Sequence, residues 1–441
     1  MKRSAPLSLS IVILLSAAVL ACGVPVKSVV SNDLVQREQA IVEFRDLGPQ
    51  GLSTLLKYRE QLLRDGKEPD SAVMIRLNDA IDSVGGAKYS ATSRLYWFTD
   101  LELAKAEATE TGKPILSLRM LGKLTDDLSC ANSRFFRTTL YANEEISKLL
   151  REKFILHWQS VRPVPKITID FGDGRKLERT ITGNSAHYVL LADGTVIDCL
   201  PGLYGPQAFR SKLEDLLKVT EALPKDAEMR RSYLVAFHRS EETKINQAWQ
   251  TDLTKLGVGM NAAGHSAQVR LPAAAAPPAE AAAEVARPKA MLEMPAIRAI
   301  ANRRLTPEQA TTDEVWEKIA ALHADDSRLD PASRKLIAAQ NPTAAVAGKL
   351  AETKRRVEDP LVKMFRNLEQ AVAVDSVRNE YELHRQLHRW FIDGTAAANV
   401  DELNERVYAE LFLTPKSDPW LGLLPADAYS ALPNNGVVQA K

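Results

Sequence analysis

Cys130 and Ser133 are the residues of this chain whose types and spacing invite chemistry. They lie in Ser129-Cys-Ala-Asn-Ser133, after an apolar run from Ile115 to Leu121 and ahead of a helical pattern. A cysteine at the start of a helix faces free backbone N–H groups and the positive end of the helix dipole, both of which favour its thiolate. Arg134 and Arg137 fall within the next two turns and add to that field, while Asp126 and Asp127 oppose it. With serine at position 133, a mixed disulfide formed at Cys130 has no neighbouring thiol to resolve it. It would persist until an external thiol arrived, which is monothiol exchange or trapping chemistry. In that scheme Ser133 donates a hydrogen bond to the thiolate, and His187, just before a predicted strand at Tyr188–Leu191, contacts the thiol substrate. The opposing reading makes Cys130 a half-buried residue that behaves as a small apolar group, and His187 an ordinary strand-edge histidine.

Other candidates carry less. Of the three cysteines, Cys199 falls in a predicted strand just before Pro201-Gly202. It either pairs with Cys130 or stays a buried free thiol, and the free thiol is the preferred reading. Glu380, His384 and His388 recur at i, i+4 and i+8, which is ligand spacing along one helix face. Arg378, Arg385 and Arg389 around them make that face read as solvated and salt-bridged, so no metal is expected. Asp170 and Asp173 flank a hairpin turn and read as turn chemistry rather than calcium ligands. The chain has no phosphate-cradling Gly-rich loop, no Ser-His-Asp context and no H-E-x-x-H, and no cofactor is expected.

The elements that must position these residues follow from periodicity. Leu34–Phe44, Gly51–Leu63 and Ser71–Val84 read as helices, the last stopped by Gly85-Gly86. Residues 91–220 alternate strand and helix signals, which implies an α/β unit. Its expected strands are Leu95–Phe98, Ile115–Leu121 and Phe154–Gln159, followed by hairpins about Gly172-Asp-Gly174 and Asp193-Gly194. Its expected helices are Leu101–Thr111, closed by Gly112, then Cys130 to Thr139, then one capped by Asn143, and finally Pro206–Val219. Beyond 220 the pattern is helix and linker, with an Ala/Pro-rich linker at 271–284. Residues 306–325 and 350–412 are helical by periodicity, and a turn-rich tail from Leu413 carries Trp420 as a docking anchor.

The chain has 441 residues and a formal net charge of +1, with acids and bases evenly mixed. That balance argues against a nucleic-acid partner, which needs a basic face, and the length exceeds a single core. Lys2 and Arg3, the apolar run Leu7–Leu20 and a small-residue boundary read as a secretory signal, since the run is too short to cross a bilayer. Val19-Leu20-Ala21-Cys22 resembles the lipobox of bacterial lipoproteins. The resemblance implies that Cys22 is diacylated and becomes the new N-terminus, with a plainly cleaved signal as the alternative. Gly23 after it resembles lipoproteins sent to the outer membrane. The expected location is therefore the cell envelope, on the periplasmic side of the outer membrane, with the membrane as partner through a lipid anchor. The expected organisation is a signal at 1–22, a helical segment at 23–90, the α/β unit at 91–220, helix and linker at 221–290, and a helical region at 291–441.

Residues 94–219 resemble the thioredoxin-like superfamily, in the branch whose motif runs C-x-x-C, helix, N/D-E-E-V and L-L-x-x-x-F. Cys130 falls on the first cysteine and Ser133 on the second, while Asn143-Glu-Glu-Ile146 and Leu149-Leu-Arg-Glu-Lys-Phe154 match the rest without gaps. The resemblance implies a thioredoxin-like central sheet with flanking helices. It departs at the second cysteine and at the cis-proline, whose place is taken by Ser185 or Ala186. It also departs between the two central strands, where a hairpin at 167–181 replaces the usual helix. Two functions are implied. One is monothiol disulfide exchange through Cys130. The other is a redox-inactive binding or scaffold module.

Overall fold

The computed structural model describes residues 25–64, 71–181, 183–258, 311–341, 360–396, 399–421 and 437. The expected signal segment with Cys22 and the Ala/Pro-rich stretch at 271–284 lie outside the described residues. The chain is mixed α/β, with a four-stranded mixed sheet flanked by helices.

Three helices open it: α1 (Leu34–Asp46), α2 (Pro49–Arg64) and α3 (Ser71–Gly85). Asp33 caps α1 by accepting from the backbone N–H groups of Val35 and Gln36, filling the role free donors at a helix start require. Phe44, Leu52, Leu55, Leu77, Ile81 and Val84 close a core of their own between these helices. Arg45 ties this bundle to the segment before Leu101, donating to the carbonyls of Val84 and Trp97, both at 2.6 Å. A single turn, α4 (Ser90–Ser93), leads into that segment.

The sheet is built from β1 (Ile115–Leu121), β2 (Ile155–Arg162), β5 (Ser185–Leu190) and β6 (Val196–Pro201), in the order β2-β1-β5-β6. Strands β1 and β2 are parallel, and β5 and β6 run antiparallel to their neighbours. β1 is buried along its whole length, Ser117 and Arg119 included, as a strand covered on both faces is. Before it lies α5 (Leu101–Thr111), capped by the Asp100 carboxylate and ended by Gly112 at φ +70°. Between β1 and β2 come α6 (Ala131–Phe135), a π turn at Phe136–Leu140, and α7 (Glu144–Lys153), capped by Asn143. Among the described residues, strands β3 (Lys166–Asp170) and β4 (Lys176–Thr180) pair only with each other, as a separate ribbon.

Leu95–Phe98 is not a strand. Only Phe98 forms a bridge, to His157 of β2. Asp100 starts α5 two residues later, which leaves room for one rung, and Leu95 and Trp97 are buried without a ladder.

The later helices are α8 (Pro206–Ala222), α9 (Ala227–Lys255), α10 (Asp313–Leu322), α11 (Pro331–Gln340), α12 (Pro360–Arg378), α13 (Arg385–Ile392) and α14 (Val400–Arg406). A π turn, Asn379–His384, joins α12 to α13, and a second, Val407–Leu411, extends α14. Val400, Leu403, Val407, Tyr408, Leu411 and Phe412 share one apolar core with the sheet. Tyr188 of β5 donates to Asn404 at 3.1 Å, and Tyr408 donates to the Asn184 carbonyl at 3.0 Å. Beyond them the Arg162 guanidinium donates to the carbonyls of Thr414, Pro415 and Asp418. The expected anchor Trp420 is 47% exposed, and the adjacent Leu421 is buried in its place. Among the described residues no helix is long and apolar enough to cross a membrane.

Candidate functional site

Cys130 sits where the sequence places it, between β1 and α6, as the N-cap residue of that helix. Its surroundings differ from those of a reactive thiol. Cys130 is fully buried, and its backbone N–H donates to the Leu121 carbonyl at 3.2 Å, tying the loop back onto β1. The helix it caps is five residues long before the π turn begins.

The Ser133 hydroxyl does not serve a thiolate. It is buried, 2.7 Å from Ser129 Oγ and 2.8 Å from the Cys130 carbonyl, and donates within its own turn. Arg137 donates to the carbonyls of Leu124 and Asp126 and to Ser129 Oγ, and Arg134 donates to the Ser129 carbonyl and Thr180 Oγ1. Both guanidinium groups thus satisfy loop acceptors and hold the loop shut.

His187 is neither a strand-edge residue nor open to a substrate. It lies in β5 between Leu118 of β1 and Leu200 of β6, with no exposed surface. Its Nε2 is 2.7 Å from the Tyr141 hydroxyl, and its ring packs on Phe136 and Phe209. Burial pulls its pKa down to about 3, so the ring is neutral across the ordinary pH range. Ser185 and Ala186 open the same strand opposite Met120 and Arg119, and no cis peptide bond occurs among the described residues. Cys130 and Cys199 are both free and both buried, and Cys199 pairs across the sheet with Tyr188.

The most concentrated polar chemistry lies beside the edge strand β6. The face carrying Glu380, His384 and His388 is not solvated: His384 and His388 are buried, and Arg385 is buried beside them. His384 bridges two carboxylates, with Nδ1 at 2.9 Å from Glu380 Oε2 and Nε2 at 3.0 Å from Asp198 Oδ2. Burial opposes charge on this ring, but Asp198 and Glu380 outweigh it and raise its pKa to about 9. Lys212 of α8 holds Glu380 at 2.5 Å. His388 packs on His384, with ring centroids 4.1 Å apart, and its Nδ1 meets Nδ1 of His238 from α9 at 2.8 Å. His238 in turn stacks flat on Phe391.

Sequence patterns alone do not single out Asp198, His238 or Lys212. Asp198 does leave a trace, as a carboxylate in the otherwise apolar strand Val196-Ile-Asp-Cys-Leu200. His238 leaves none, being one polar residue among many on a long helix. The arrangement ties β6, α8, α9 and the start of α13 together. Comparison of the chain with family models, with curated proteins and with solved structures gives no match.

Proposed function

We propose that this is an exported, lipid-anchored, thioredoxin-like protein that has no thiol chemistry at Cys130 and acts as a binding or scaffold module of the cell envelope. The observation that carries this reading is the complete burial of Cys130. A disulfide substrate must bring a sulfur into line with the attacking thiolate, and exchange depends on that access. The groups expected to assist are engaged elsewhere, Ser133 with Ser129 and His187 with Tyr141. The thioredoxin-like assignment is supported by the strand order β2-β1-β5-β6, with a parallel pair joined through helices and followed by an antiparallel pair and a helix.

The binding role is supported by the β3–β4 ribbon. Among the described residues it pairs with no other strand, and it exposes Ile169 and the tip residue Phe171.

The test is alkylation of the Cys199→Ser chain, made without residues 1–22, under native and denaturing conditions. The expected result is no native labelling and no mixed disulfide with oxidised glutathione, with full labelling in denaturant. Stoichiometric native labelling at Cys130 would restore the monothiol reading.

A further inference from the structure

We propose that Asp198, His384 and His388 form a buried structural site for one divalent transition-metal ion of the zinc class, with His238 standing behind His388. The ligand atoms of Asp198, His384 and His388 lie within 4.8 Å of one another, and all three residues are buried. His384 Nε2 and Asp198 Oδ2 are 3.0 Å apart. Two ligands on a tetrahedral zinc ion, with bonds near 2.0–2.1 Å, stand about 3.3 Å apart. His238 Nδ1 lies 2.8 Å from His388 Nδ1, which occupies that nitrogen and leaves His388 Nε2 as the ligand atom. The three donors are two imidazoles and one carboxylate, a set that suits zinc.

Two observations separate this cluster from an ordinary buried ion pair. His388 is fully buried and its Nε2 has no hydrogen-bond partner, although buried polar atoms are nearly always satisfied. The non-ligating nitrogen of His384 is already oriented, since its Nδ1 faces Glu380 Oε2 at 2.9 Å and Glu380 is itself held by Lys212. A carboxylate behind a ligating histidine, fixing its tautomer, is the usual support of a metal-bound imidazole. Binding replaces the proton on His384 Nε2 by the ion, and that proton leaves to solvent. With three buried protein ligands and a water as the fourth, the ion is structural, binding β6 to the π turn and α13.

The test uses the full chain, stripped with EDTA and titrated with Co²⁺ and then Zn²⁺. The expected result is one Co²⁺ per chain with the intense visible bands of tetrahedral coordination, displaced by stoichiometric Zn²⁺. A melting temperature that falls with EDTA and recovers with Zn²⁺ should accompany it. His388→Gln should abolish the bands, and Glu380→Gln should weaken Zn²⁺ affinity about 10–100-fold, while His323→Gln should leave both unchanged. The proposal is overturned if the wild-type chain shows only the weak spectrum of octahedral Co²⁺, or a melting temperature indifferent to Zn²⁺. It is also overturned if the tetrahedral bands survive in His388→Gln. Because the first readings are made on the wild-type chain, a variant that fails to fold does not shield the proposal.

Discussion

The side chain of Asn379 occupies the space that Gly202 leaves by having no Cβ. A Cβ built on Gly202 would meet Asn379 Nδ2 at 2.4 Å, and Gly202 itself is at φ +79°. Asn379 Nδ2 donates to the neighbouring Leu203 carbonyl at 2.8 Å. The end of β6 is thereby fastened to the π turn that carries His384.

Gly202→Ala should therefore be severe for a surface-sized change. The left-handed backbone alone costs about 1–2 kcal/mol for a residue with a Cβ, and the clash adds to it. We expect a loss of about 2–4 kcal/mol in urea unfolding. Asn379→Ala made in the Gly202→Ala background should recover part of that loss by removing the clash, a coupling that a double-mutant cycle reads directly.

Asp82 predicts a pH dependence. Burial raises its carboxyl pKa to about 6, against the hydrogen bond it accepts from the Ser90 backbone N–H at 2.8 Å. A folded pKa raised above the ordinary value near 3.8 means that the folded state holds the proton more tightly. Its contribution is fully present below about pH 4 and is lost as pH rises through 6. Asp82→Asn, which can still accept from Ser90, should flatten that slope and stabilise the protein at pH 7.5 by about 1–3 kcal/mol. A mutant no more stable than wild type at pH 7.5 would refute this.

The His323–Asp252 contact predicts a slope of the same sign from a different group. His323 Nε2 lies 2.6 Å from Asp252 Oδ2, which also accepts from the Tyr381 hydroxyl at 2.7 Å. Asp326, and then Asp252, raise the His323 pKa above 6.5 despite partial burial. The stabilisation it supplies is complete below pH 6.5 and is lost as pH rises through the folded value. For a partly exposed pair the effect is no more than about 1 kcal/mol. Comparing thermal melts at pH 6 and pH 9 for wild type and His323→Gln checks it, and equal slopes in the two proteins would exclude the contact as the cause.

Arg162→Ala should release the tail. Its guanidinium satisfies three backbone carbonyls between Thr414 and Asp418, and hydrogen bonds from a charged donor are worth about 1.5–3 kcal/mol. Hydrogen exchange in residues 412–421 should speed up, with new cleavage at Lys416, while exchange in β1 stays slow. Unchanged protection of the tail would show that Leu421 and Phe412 alone hold it.

What the sequence disclosed was local. β1 at Ile115–Leu121, the Asn143 cap and the Gly112 stop were legible because each depends on a few consecutive residues. Leu95–Phe98 misled because an apolar run signals burial, and a strand also needs a partner of matching length. The histidine face misled for a related reason. His384 meets Asp198, and His388 meets His238, across 186 and 150 residues of chain. The flanking arginines look solvated only until those partners are in place, whereas Arg389 reaches Glu242 and Arg385 lies over Trp249. Cys130 was found, but its inaccessibility depends on Arg137 and Arg134 closing the loop, which spacing alone does not disclose.

The sharing of one core between the sheet and the segment from Val400 to Phe412 sets the order in which this protein can mature. Synthesis delivers β1, β2, β5 and β6 long before Tyr408 and Phe412 exist to cover them. Until then the sheet has an uncovered apolar face and Tyr188 lacks its Asn404 partner. Chains cut short before Val400 would leave that face exposed and should aggregate, and the growing chain faces the same hazard until its last helices emerge.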